Sequence, residues 1–115
     1  MWFRGVKVKP FEMMETADGL SQMLAGFIRK QGIHVSQCRD AGEEDIAARL
    51  REVTRQAEEL ARLLASRMEE VGSKPFPLGD LNDLKARFLL LVLRANGLVA
   101  QSMSLCHGSR SIAAD

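Results

Sequence analysis

The sequence predicts an all-α protein: three helices, the second and third paired as a long antiparallel hairpin, the first packed across them, and the whole forming a dimer. Three observations carry that expectation. Apolar residues recur at steps of three and four over long stretches, the period of a helix face. Glycine and proline fall between those stretches and divide the chain into three. Residues 80–107 carry two apolar rows where an ordinary surface helix carries one. With 115 residues, 46% hydrophobic and 27% charged, the chain can build a single core without disulfides or metal. The expected organisation is an N-terminal arm over 1–9, one helical domain over 10–108 and a flexible tail over 109–115.

The arm alternates weakly. Trp2, Val6 and Val8 fit one face of a short strand, and an unpaired mobile arm accounts for them equally. Pro10 suits the first turn of a helix. The first helix is expected over residues 11–31, with Met13, Ala17, Leu20, Leu24 and Phe27 at helical spacing; Gly19 weakens its first half, which allows a regular part that begins only near Asp18. Gly32 is the expected stop, after Arg29 and Lys30 in the last turn. Residues 33–42 then read as a connector. The second helix, residues 43–71, is the clearest element. Glu43, Glu44 and Asp45 place negative charge at its start, and Ile46, Leu50, Val53, Ala57, Leu60, Leu64 and Val71 mark one seam, broken at Arg67. Gly72 ends it, and the two prolines of the following SKPFPLG linker prevent a continuous helix. A linker this short favours an antiparallel pair.

Asp80 is the expected N-cap of the third helix. One row on that helix runs Leu81, Leu84, Phe88, Leu91, Ala95, Leu98, Ser102 and Leu105; the other runs Leu89, Val92, Asn96, Val99 and Met103. Together they cover roughly 200° of the surface, about twice what a core-facing stripe needs. Such a helix must be covered on two sides. Leu89, Val92, Val99 and Met103 are the candidate partner-binding residues, with Leu91 and Leu98 assigned to the core; if the two phases are exchanged, so are these roles. The row keeps its phase across Asn96-Gly97, which predicts a continuous helix. Methionines 13, 14, 23 and 103 serve either as core filler or as adaptable interface side chains.

Several functions are disfavoured. Sixteen basic against fifteen acidic residues leave a net charge of +1, too little for a dedicated nucleic-acid binder. His34 with Cys38 and Cys106 with His107 lack the paired spacing of zinc sites, so no metal is assigned. No glycine-rich phosphate loop occurs, and the carboxylate pairs at 43–44, 58–59 and 69–70 fit a solvated helix face. Neither catalytic residues nor a cofactor are expected. The N-terminus lacks the features of a signal peptide, and Arg94, Asn96 and Gln101 interrupt the one apolar stretch long enough to consider for a membrane. Two distant cysteines suggest a reducing cytoplasm.

What remains is a protein-interaction module. In its length, its two long helices over 43–71 and 81–107 and its apolar-rich last helix, the chain resembles the small helical antiactivators that disable quorum-sensing transcription regulators of the LuxR type. The resemblance implies a cytoplasmic, dimeric protein that blocks a regulator by contact, and it carries over no individual residue. The alternatives are a chaperone shielding a hydrophobic segment of a secretion or phage-assembly client, and a nucleic-acid-binding helical domain.

Overall fold

The computed structural model describes residues 13–102. They form three helices, α1 (Ala17–Asp40), α2 (Glu44–Val71) and α3 (Leu78–Gln101), with no strand among them. Helix α2 is central: it packs extensively on α1 and on α3, whereas α1 and α3 touch less. The N-terminal arm and the tail lie outside the described residues, as do Met103, Leu105, Cys106 and His107.

Helix α1 starts within a residue of where its regular part is expected and ends well beyond the expected stop. It begins at Ala17, with Thr16 as its N-cap; the Thr16 hydroxyl accepts from the Gly19 N–H at 3.0 Å. The preceding turn folds back over the helix so closely that a Cβ on Gly19 would lie 1.8 Å from the Met13 carbonyl oxygen. Gly19 is therefore a point of backbone approach. At the other end the helix runs straight through Gly32 and takes in the expected connector, because Gln31, Val35 and Cys38 continue the buried row begun by Leu20 and Leu24. Burying two further apolar side chains is worth ~1.5–3 kcal/mol each. That outweighs the ~1 kcal/mol a helical glycine costs. The stop is Gly42. It has φ of 80° and donates to the Arg39 carbonyl at 3.0 Å, while Glu43 N–H donates to the Cys38 carbonyl at 2.8 Å. That pair of bonds is the Schellman termination, which needs a residue tolerant of positive φ.

Helix α2 follows its sequence pattern closely. Leu50, Val53, Ala57, Leu60 and Leu64 are buried, joined by Ala47, and Glu44 and Asp45 occupy its first turn. Arg67, at the break in the seam, turns its guanidinium to Glu70 and to Asp80 of α3. Helix α3 starts at Leu78, two residues before Asp80, with Pro77 as N-cap; its carbonyl accepts from Leu81 N–H at 3.0 Å. Asp80 instead sits in the first turn, where its charge still meets the positive helix end. The helix continues through Asn96 and Gly97 but stops at Gln101, short of residue 107, because Ser102 adopts an extended backbone (φ −71°, ψ 120°).

The core is one cluster drawn from all three helices, including Leu81, Leu84, Phe88, Leu91, Ala95 and Leu98 of α3. Phe27 of α1 stands edge-on to Phe88, with ring centroids 5.5 Å apart and planes at 87°. Of the two rows on α3, the one beginning at Leu81 faces inward and is buried at every described position through Ser102.

Candidate protein-interaction surface

With one row of α3 spent on the core, Val92 and Val99 stay half-buried on its flank, and the leucines beyond them are exposed. Residues 88–93 read FLLLVL, six apolar positions in succession, which encircle a helix more than once. Phe88 and Leu91 point inward; Leu89, Leu90 and Leu93 are 43%, 61% and 66% exposed. On α2, Leu63 is 41% exposed beside the same region. The four leucines expose on the order of 350 Å² together, a patch of the size that is often functional on monomers.

Between α2 and α3, Leu63 and Leu90 border an open groove of about 390 Å³. Leu60 and Leu91, both core residues, form its floor, and Leu63 and Leu90 form its apolar walls. Its polar rim is divided by charge. Glu59 and Gln56 stand on the α2 side, Arg87 and Arg94 on the α3 side. Arg94 donates across to the Gln56 side-chain carbonyl at 2.9 Å, Arg55 pairs with Glu59 at 2.6 Å and Arg87 with Asp83 at 3.2 Å.

The electrostatics of this rim are those of a solvated face. Hydrogen bonding from Arg55 pulls the Glu52 carboxyl below its usual range, and the same bond pushes the Arg55 guanidinium up. The Asp80 contact does likewise for Arg67. Each shift favours the charged form, and these groups stay ionised at neutral pH. Surface pairs of this kind are worth ~0–1 kcal/mol and set orientation more than stability.

The sequence-predicted site residues fall in different places. Leu89 lies on the surface; Val92 and Val99 are half-buried, Val92 packing against the core; Met103 lies outside the described residues. The row they form runs along the flank of α3, and the most exposed leucines of that stretch, Leu90 and Leu93, belong to neither predicted row. Their signal was the unbroken apolar run itself, since six apolar residues in sequence leave some side chain facing away from any single core.

His34 and Cys38, four residues apart, share helix α1 rather than a loop, and each is engaged elsewhere. His34 Nδ1 lies 3.3 Å from Gln31 Oε1, and partial burial, with the nearby Lys30 charge, lowers its pKa below 6.5. Cys38 is fully buried; its thiol donates to Ser102 Oγ at 3.6 Å, and Ser102 donates to Glu43 Oε1 at 2.5 Å. This polar chain ties the end of α1, the turn before α2 and the end of α3 together. Among the described residues no group of three His, Cys, Asp or Glu side chains is placed to hold a metal ion. No described helix is long and apolar enough to cross a membrane.

Fold and surface together define an all-α arrangement of three helices among the described residues, with an open, leucine-lined groove between the second and third. Comparison with protein-family models, with curated proteins and with solved structures finds no match.

Proposed function

We propose that this chain is a non-enzymatic, cytoplasmic protein-interaction module that binds and regulates a partner protein through the leucine face of α3. The observation that carries the reading is the contiguous exposure of Leu89, Leu90 and Leu93 on one helix, with Leu63 beside them. An apolar helical face of this kind suits docking to an amphipathic helix or an apolar groove of another protein. Two contacts, Arg67 with Asp80 and Gln56 with Arg94, support an antiparallel course of α2 and α3, a stiff two-helix platform for that face. The divided rim, with Glu59 on one side and Arg87 and Arg94 on the other, suits recognition by shape and charge. The free, buried thiol of Cys38 is in keeping with a reducing compartment.

The partner class that fits the resemblance is a transcription regulator of the LuxR type, disabled by covering its dimer or DNA-binding surface. The test adds the purified chain to such a regulator and follows its DNA complex by mobility shift, with Leu89→Asp in parallel. Loss of the DNA complex with the wild type, and its persistence with Leu89→Asp, is the expected result. If the regulator keeps its DNA at any ratio of added chain, the antiactivator reading fails. Stoichiometric co-purification with a structural subunit, without any effect on transcription, would favour the chaperone reading instead.

A further inference from the structure

We infer that the groove between α2 and α3 is closed by the same groove of a second copy, giving a dimeric four-helix bundle with its twofold axis along the groove. The inference rests on reading this surface as a protein-binding one, and goes beyond it by naming the occupant. A twofold interface must be self-complementary, each patch meeting its own image. The groove satisfies that condition by charge. Its acidic wall is α2, with Glu59; its basic wall is α3, with Arg87 and Arg94. A twofold axis parallel to the helices sets the α2 wall of one copy against the α3 wall of the other. Heights along the axis are preserved by that operation. Gln56 is level with Arg94, so Glu59, about one turn further along α2, lies between the heights of Arg87 and Arg94. Each Glu59 then faces two arginines of the other copy. Glu59, Arg87 and Arg94 are themselves exposed, as are the partners Arg55 and Asp83, so the charges remain accessible to a second copy.

The helix directions agree as well. Given that α2 and α3 are antiparallel, every helix in the bundle has antiparallel neighbours, the up-down pattern of simple four-helix bundles. Leu63 and Leu90 become its inner residues above the floor of Leu60 and Leu91; Leu93, exposed and three residues on from Leu90, adjoins them on the helix surface. Leu63, Leu90 and Leu93 expose on the order of 300 Å², against the roughly 450 Å² of apolar surface that each partner contributes to a standard-size interface. The aliphatic stems of Arg87, Arg94 and Gln56 supply much of the difference. A net charge of +1 sets up little long-range repulsion between copies. Leu89 is left on the outside, where another protein still reaches it.

Sedimentation equilibrium or light scattering on the purified full chain tests the inference. The wild type is expected at twice the chain mass. Leu63→Asp and Leu90→Asp are expected as monomers with unchanged helical circular dichroism. Glu59→Arg is expected to weaken the dimer by about tenfold or more. Adding Arg87→Glu and Arg94→Glu to that variant is expected to restore it. A monomeric wild type overturns the inference, as does a dimer indifferent to Leu90→Asp. Should the aspartate variants unfold, the charge reversal decides: failure of the triple variant to recover the dimer lost in Glu59→Arg overturns the proposed pairing. Inhibition of a regulator is read separately through Leu89→Asp, so either idea can fail without the other.

Discussion

Replacing a glycine inside a helix by alanine ordinarily stabilises a protein, by up to ~1 kcal/mol, because alanine restricts the unfolded chain and favours the helical state. Helix α1 offers three such positions with opposite expected outcomes. At Gly26 the nearest atom to an added Cβ is an Arg29 guanidinium nitrogen at 3.8 Å, and at Gly32 nothing lies within 4 Å. At Gly19 the added carbon would meet three backbone atoms of Met13, at 1.8, 2.6 and 2.8 Å. Backbone cannot swing aside as a side chain can, so the turn ending at Thr16 must lift away. Lifting it sacrifices the Thr16 cap, about 1 kcal/mol, and the burial of Met14, about 1.5–3 kcal/mol. Set against a propensity gain of about 1 kcal/mol, Gly19→Ala should destabilise by about 2 kcal/mol. Gly26→Ala and Gly32→Ala should each stabilise. Urea unfolding followed by circular dichroism reads all three at once. A Gly19→Ala variant as stable as the wild type would refute the packing of the turn, and a destabilised Gly32→Ala would refute the helix through that residue.

Other expectations follow from the same structure. Leu50→Ala, at a fully buried position, should cost ~2–5 kcal/mol, while Leu93→Ala, at an exposed one, should stay within ~0.5 kcal/mol in the same unfolding assay. Ser102→Ala removes the link between Cys38 and Glu43 and should cost ~0.5–1.5 kcal/mol; a double-mutant cycle with Glu43→Ala should be non-additive, and strict additivity would show the link to be energetically silent. For His34 the folded pKa lies below the unfolded value of 6.5, through burial first and the Lys30 charge second. The unfolded chain therefore takes up its proton more readily, and the stability present above pH 6.5 falls as pH drops through the lowered folded pKa. His34→Gln should flatten that part of the stability–pH profile, and an unchanged slope would remove His34 as its source.

How much of this was legible in the sequence depends on how many faces each helix buries. Helix α2 buries one, and its row from Leu50 to Leu64 reads directly as core. Helix α1 was legible in its apolar row but not in its length. A glycine says only that a helix is weakened; whether it ends there depends on what the following residues bury, and Val35 and Cys38 are buried. The true stop, Gly42, is set by hydrogen bonds that composition does not reveal. On α3 both apolar rows are legible, and the one from Leu81 to Leu98 is buried, but within FLLLVL periodicity cannot rank the remaining faces. Leu90 and Leu93 emerge as the exposed ones only once α1 and α2 have taken their sides, and Leu63 joins them only because α2 lies alongside.

The buried chain from Cys38 through Ser102 to Glu43 also bears on the order in which the molecule assembles. Helices α1 and α2 are neighbours in sequence, share the most extensive packing and are joined by a short turn, so they can pair while the ribosome is still making α3. The Ser102 hydroxyl bonds to the junction of these two helices from the far end of α3. It binds side chains 64 and 59 residues upstream, and does so only after the whole of α3 has docked. Its bonds belong to the last stage of folding. Loss of that hydroxyl should leave the folding rate nearly untouched and shorten the lifetime of the finished protein, the signature of a closure formed after the transition state.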